Sequence, residues 1–242
     1  MRKIKFSLVI PCYNEEKNIP LIIEKLKEIL NRTDLEIILV DNGSVDGSHE
    51  IIKNYSKKYK AIKMVYIKKN IGYGFGIFSG LKTAKGEFIG WTHADLQTDP
   101  IDYLRAYEII KDQKEKEKIY VKGKRYGRPI SDSFFTFGMS IFATIFLKKF
   151  LYDINAQPNL FHRSFLRLVK EPPKDFSFDL YFFYLAKING YNCIRFPVFF
   201  GKRLYGNSKW NFGIKSRIKF IKRTIIFILN LKKYIENAKN SS

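Results

Sequence analysis

Four short apolar runs, separated by segments of helical period, constrain this chain more than any other feature. FSLVI (6–10), EIILV (36–40), IKMVYI (62–67) and EFIGW (87–91) are rich in β-branched and aromatic residues, which favour strands. Between them, residues 18–30 place Ile19, Ile22, Leu26 and Leu30 on one helical face, and residues 46–58 follow a cap at Ser44 or Asp46. The order βαβαβαβ predicts an α/β fold, a mainly parallel sheet with helices on both faces. Such sheets bind ligands beyond the carboxyl ends of their strands.

Those ends are polar or glycine-rich: PCYNEE, DNGSVDGS, KKNIGYGFG and THADLQTDP. Asp41 can accept hydrogen bonds from a nucleobase or ribose, and Gly43 lets the backbone turn sharply; the same residues fit an ordinary strand-to-helix turn. Gly72, Gly74 and Gly76 can bring backbone N–H groups to a phosphate, although GxGxG is not the GxGxxG of a dinucleotide fold. In HADLQTDP, Asp95 and Gln97 lie two apart, on one side of an extended segment, and their oxygens suit Mg²⁺ or Mn²⁺. A cation held there would neutralise a departing diphosphate. Asp99 and Pro100 also fit the start of a helix over IDYLRAYEII.

Lys and Arg number 44 against 23 Asp and Glu, a net charge of +21. That excess implies an anionic partner, though an AT-rich genome also raises lysine. Nucleic acid is not expected, because the aromatics lie in apolar runs and no nucleic-acid motif occurs. Cys12 and Cys193 have no metal-ligand spacing and read as free thiols in a reducing compartment. FSLVI is too short for a signal-peptide core. The longest uncharged run, 133–147, is shorter than the ~20 residues a membrane span needs.

In this order the four motifs resemble the family 2 glycosyltransferases of the GT-A fold. VIPCYNEE stands for that family's VIPxYNE, VDNGSVDG for VDDGSxDG, NIGYGFGIFSG for NxGxGxAxxxG, and HADLQTDP for DADLQxxP. The resemblance is dense over roughly the first 125 residues. The DADLQ-like wording, with RLYGNSKWN (203–211) matching RxxGxSK, points to the branch similar to dolichyl- and polyprenyl-phosphate sugar synthases. It implies an inverting transfer from a nucleotide-sugar donor to a membrane-associated acceptor, a polyprenyl phosphate, with Mg²⁺ or Mn²⁺ as cofactor. Nucleotide contacts would come from Pro11, Tyr13, Glu15, Asp41, Gly72, Gly76 and His93, and metal contacts from Asp95 and Gln97. Asp95, Asp179 and Arg203 would be catalytic, and Arg125, Arg128, Gln157 and Lys209 would hold the acceptor or its phosphate. The family usually has Asp where His93 stands. His93 can ligate Mn²⁺, can hydrogen-bond ribose or phosphate, or can be a substitution without consequence.

Beyond the motifs, VKGKRYGRPISDS (121–133) reads as a strand and basic loop, and DINAQPNLFHR (153–163) resembles a segment of some bacterial family members. Residues 133–147 are apolar nearly all round apart from Thr136, Ser140 and Thr144, and flanking lysines favour a membrane interface. Residues 213–231 read as a basic amphipathic helix, with Ile214, Ile218, Ile221 and Ile225 on one side. We therefore expect a glycosyltransferase domain over 1–212, then an interface helix and disordered tail over 213–242. The expected location is the cytoplasm, peripherally on the inner face of the cytoplasmic membrane, with an anionic membrane surface and a membrane protein or a second copy as partners. Two alternatives remain: transfer to a saccharide hydroxyl, with Asp179 or Asp153 as base, and an inactive nucleotide-sugar-binding subunit.

Overall fold

A computed structural model describes residues 3–128, 130–205, 221–231, 233 and 235, without the side chains of 130–135. The chain runs β1 (Phe6–Cys12), α1 (Asn18–Leu26), β2 (Leu35–Asn42), α2 (Ser48–Lys58), β3 (Ile62–Ile67), α3 (Tyr73–Thr83), β4 (Phe88–Trp91) and α4 (Asp102–Lys111). It continues through β5 (Ile119–Tyr126), α5 (Ile130–Leu147), β6 (Asn159–His162), α6 (Phe178–Ile188) and β7 (Asn192–Phe199). The strands form one sheet in the order β3-β2-β1-β4-β6-β5-β7. Only β6 runs against its neighbours, pairing antiparallel with both β4 and β5. The expected mainly parallel α/β sheet is what forms.

The sheet is covered on both faces. One apolar cluster joins β1 and β2 to α1, α2 and α4 through Ile19, Ile22, Ile52, Tyr103 and Ile110. The other joins the opposite face to α3, α5 and α6 through Ile77, Leu81, Ala143, Phe178 and Phe182. Every residue of β2 is buried, as an inner strand between two helix layers requires.

The glycine-rich motif contributes more to packing than to a loop. Gly74, Gly76 and Gly80 all lie within α3. A Cβ on Gly80 would fall 2.4 Å from Cγ1 of Val9 and 2.9 Å from Cγ2 of Val40, so α3 lies directly on β1 and β2.

Two helices expose apolar residues. In α5 the stripe of Thr136, Ser140 and Thr144 turns inward. The Ser140 hydroxyl donates to Thr136 O at 2.8 Å and accepts from Asp153 N at 3.2 Å, and Thr144 Oγ1 accepts from Leu151 N at 3.0 Å. The apolar side faces out, with Ile145 66% exposed. The stretch 221–231 is helical and buries Ile228 and Leu231 in the same cluster as α6, while Ile226 and Leu229 stay exposed. This helix therefore packs on the domain, and Ile221 and Ile225, from the expected apolar side, are half-buried. Lys209, the expected helix over 213–220 and the tail 236–242 lie outside the described residues.

Candidate active site

The first two strand-end loops are tied to one another. Asn14 N donates to Ser44 Oγ at 3.1 Å, Glu15 N to Ser48 Oγ at 2.8 Å and Val45 N to Asn14 Oδ1 at 2.9 Å. Pro11, Tyr13 and Glu15 thus sit beside the β2 end. Burial pushes the Glu15 carboxyl up; the hydrogen bond from Asn18 opposes this, and the nearby charge of Asp95 adds to it. Asp41 is tied up internally: Oδ1 accepts from Ser44 N at 3.0 Å and Oδ2 lies 2.8 Å from His49 Nδ1. Gly72 precedes α3 with φ 143°, and a Cβ there would meet Lys174 O at 2.2 Å. Gly76 packs on the amide of Asn42, which donates to Gly72 O at 3.0 Å.

Asp95 lies just past β4, largely buried, and Arg203 Nη2 donates to its Oδ2 at 2.7 Å. The segment from 95 to 97 is not extended. Leu96 takes φ 56°, and Gln97 N folds back to Asp95 Oδ1 at 3.2 Å, because a carboxylate at a turn competes for its own backbone. Even so, both side chains reach the same segment, Asp95 at Arg203 and Gln97 at Gly201. Gln97 Nε2 donates to Gly201 O at 3.2 Å, and Gly201 N returns to Gln97 O at 2.7 Å. This clasp holds the segment that delivers Arg203 to Asp95. Asp99 stands apart from the site, accepting from Ile101 N at 3.1 Å at the start of α4 and from Lys25 at 2.6 Å.

His93 Nε2 lies 2.7 Å from the Tyr73 hydroxyl, and its Nδ1 lies 3.9 Å from Asp95 Oδ2. Burial holds the imidazole below its ordinary pKa, against the opposing charges of Asp95 and Asp179. Beneath it runs a buried polar network. Gln157 Nε2 donates to Asp179 Oδ1 at 2.8 Å and reaches Tyr73 Oη at 3.4 Å; Asn159 Nδ2 donates to Gln157 Oε1 at 2.7 Å; Trp91 Nε1 donates to Asp179 Oδ1 at 3.3 Å. At its base, Lys122 Nζ donates to Ala156 O at 2.7 Å and Asn159 Oδ1 at 2.8 Å. Burial lowers the Lys122 pKa to about 7, with the Asp179 charge opposing.

The basic loop closes on a carboxylate. Arg125 binds Asp153 through Nε at 2.8 Å and through Nη2, and Arg128 and Arg195 each approach Asp153 at 3.8 Å. Burial alone would raise the Asp153 pKa, but the charge and hydrogen bonds of Arg125, with the charge of Arg195, hold it below the usual range. Arg195 also donates to Gly123 O at 2.6 Å and Tyr152 O at 2.6 Å.

Thus the structure brings Glu15, His93, Asp95 and Arg203 together, gathers Gln157 with Asp179, and pairs Arg125 and Arg128 with Asp153. Tyr73, Lys122, Asn159 and Arg195 were missed. Tyr73 lies inside the glycine motif, and a lysine within the apolar strand IYVKGK was a readable signal. Among the described residues, no group of three His, Cys, Asp or Glu side chains is arranged to hold a metal. Divalent magnesium-type sites commonly use one or two carboxylates and complete the shell with phosphates and water, and Asp95 fits that arrangement.

Residues 7–186 match the sequence family Glycosyl transferase family 2. An uncharacterized glycosyltransferase of Bacillus subtilis is 36% identical over 130 residues, covering 52% of this chain and 39% of that protein. An undecaprenyl-phosphate 4-deoxy-4-formamido-L-arabinose transferase of Aeromonas hydrophila is 36% identical over 106 residues, covering 42% and 32%. A dolichyl-phosphate beta-glucosyltransferase of Trichomonas vaginalis is 30% identical over 131 residues, covering 51% and 40%. The chain thus spans less than half the length of each of these relatives. Glucosyl-3-phosphoglycerate synthase of Mycobacterium tuberculosis, solved with Mn²⁺ and UDP, superposes with TM-score 0.68 at 15% identity over 93% of this chain and 78% of that one. A mannosyltransferase of Pyrobaculum calidifontis, solved with GDP-Man and Mn²⁺, gives 0.62 at 20% identity over 97% and 70%.

Proposed function

The chain belongs to glycosyl transferase family 2, and on that premise we propose that it moves a sugar, with inversion, from a nucleotide-sugar donor to a polyprenyl phosphate. The observation that carries the reading is the Asp95–Arg203 pair at the carboxyl end of the sheet, 2.7 Å apart, with Asp95 largely buried and Arg203 partly exposed. Here Arg203 would turn from Asp95 to the departing diphosphate, and its charge would stabilise the transition state. Its Nε is buried without a hydrogen-bond partner, so the guanidinium keeps a donor for an incoming oxygen. Pro11, Tyr13, Glu15 and Gly72 would line the nucleotide. Asp95 would hold a divalent cation, Mg²⁺ or Mn²⁺, with the diphosphate and water completing its shell; when bound, the ion neutralises charge on the leaving group. Gln97 would support this site by holding Arg203 in reach.

The nature of the acceptor is supported by the state of the two carboxylates that could act as base. Asp153 is held by Arg125 and its pKa is low, so it is a poor proton acceptor. Asp179 is buried beneath Gln157 and Trp91. A lipid phosphate needs no base, because its second pKa is about 6 and it is ionised near neutral pH. Arg125 and Arg128 would orient it, with Gln157 nearby. Membrane proximity is supported by α5, whose outward Phe137, Ile141, Ile145 and Phe146 are followed by Lys148 and Lys149. No helix among the described residues is long and apolar enough to cross a membrane. Incubating the protein with undecaprenyl phosphate and labelled nucleotide sugars tests the proposal; transfer only to saccharide hydroxyls would refute the acceptor assignment.

A further inference from the structure

Each hydroxyl of the α5 stripe grips a loop or side chain that builds the arginine cluster. A backbone N–H and a guanidinium only donate, so the serine and threonine oxygens accept. Thr136 Oγ1 accepts from Arg128 Nη2 at 2.9 Å, Ser140 Oγ from Asp153 N at 3.2 Å and Thr144 Oγ1 from Leu151 N at 3.0 Å. Ser140 gives its own hydrogen to Thr136 O at 2.8 Å, so its rotamer is set. The chain reverses after α5 at Lys148, whose φ is 52°, and returns along the helix. Four helical residues rise about 6 Å and two extended residues span about 6.6 Å, so Leu151 falls opposite Thr144 and Asp153 opposite Ser140.

Ser140 and Asp153 are 4% and 3% exposed, so water does not stand in for a lost bond. Asp153 takes φ 49°, a left-handed conformation that a non-glycine residue keeps only where its surroundings hold it. Its carboxylate then binds Arg125 three times. Oδ2 accepts from the backbone N at 2.8 Å, and Oδ1 accepts from Nε at 2.8 Å and from Nη2, so Nη1 remains for an incoming oxygen. The guanidiniums of Arg125 and Arg128 share one ring, Phe200, at 5.1 and 5.4 Å.

We propose that Ser140, flanked by Thr136 and Thr144, is a positioning residue for the acceptor phosphate. Ser140 seats Asp153, Asp153 sets the guanidinium of Arg125, and Thr136 sets that of Arg128. The helix that turns Phe137, Ile141 and Ile145 outward therefore also sets the spacing of the two charges that meet the phosphate. This rests on the proposed reading of Arg125 and Arg128 as the acceptor site.

The test measures binding of farnesyl phosphate and of farnesol to the full chain by calorimetry, without turnover. The parent should bind the phosphate more tightly than the alcohol. Ser140→Ala should weaken farnesyl phosphate about fivefold, the scale of one hydrogen bond, and leave farnesol within about twofold. Ser140→Cys, similar in volume but a weak acceptor, should do the same. Ala143→Gly destabilises the same helix without touching a hydroxyl, and should leave both ligands within about twofold. If Ser140→Ala loses the circular dichroism of the parent, Thr144→Ala, which frees Leu151 N, is read in the same way. Unchanged affinity for farnesyl phosphate in Ser140→Ala, or equal weakening in Ala143→Gly, overturns the inference alone, provided the parent prefers the phosphate. A parent that binds farnesyl phosphate no better than farnesol refutes the acceptor reading, and the inference falls with it.

Discussion

Replacing Lys122 by Met should flatten the pH dependence of stability. Lys122 is fully buried, and its pKa falls from the ordinary 10.5 to about 7. Between those values the unfolded chain holds a proton that the folded chain has released, so stability rises with pH. The burial penalty is at its full size, roughly 5 kcal/mol, below pH 7 and is gone above about pH 10. The slope contributed is about 1.4 kcal/mol per pH unit in the middle of that window, which integrates to about 2 kcal/mol between pH 7 and 9. The substitution also removes one of two donors from Ala156 O and from Asn159 Oδ1, which keep Asn159 Nδ2 and the Tyr120 hydroxyl, at about 0.5–1.5 kcal/mol for each bond lost, so the sign at any one pH is not diagnostic. The diagnostic quantity is the difference in slope. Urea unfolding of both proteins at pH 7, 8 and 9, followed by tryptophan fluorescence, reads it; Trp91 is buried beside the network. Parallel curves, differing by less than about 0.5 kcal/mol over that range, would show that Lys122 is charged throughout and that this reasoning is wrong.

Asp95→Ala should lower transfer about 10²–10³-fold with the fold intact, and turnover within tenfold of the parent at saturating metal would remove Asp95 from the mechanism. Asp153→Asn leaves Arg125 without its buried counter-charge and should destabilise the protein by about 3–5 kcal/mol in chemical denaturation; a change below about 1 kcal/mol would mean that solvent neutralises the cluster. The protein should co-sediment with anionic liposomes more weakly as salt rises, since charges are screened beyond ~8 Å at physiological ionic strength. Ile141, Ile145 and Phe146 changed together to Ser should reduce the salt-resistant part, and an absence of binding even at low salt would refute the interface assignment.

The first half of the fold was legible because its strands announce themselves locally. The four apolar runs became β1 to β4, and their polar ends lie at the candidate site. The remainder depends on distant partners. β7 carries Pro197 and reads poorly as a strand, yet it is an edge strand, where a missing N–H is tolerated. At Gly80, beyond the three glycines read as a phosphate loop, a Cβ would strike Val9 and Val40, and no local pattern reports a contact with strands so far away in sequence. Asp95 was identifiable from its motif. Its pairing with a side chain 108 residues on was a consequence of folding, as was the turn at Leu96 that sent Gln97 to Gly201. Tyr73 sits among glycines with no pattern of its own, and only the folded chain brings it to His93.

Transfer of a sugar from a nucleotide to a lipid phosphate at the strand-end site can be observed outright. The most direct measurement incubates the purified chain with undecaprenyl phosphate, each of a panel of radiolabelled nucleotide sugars, and Mg²⁺ or Mn²⁺, then extracts the lipid phase and determines the anomeric configuration of the product. The expected result is label in the lipid phase for one class of donor, with the configuration inverted and the product lost in Asp95→Ala. No transfer and no donor hydrolysis with any nucleotide sugar, or an Asp95→Ala variant as active as the parent, would contradict it.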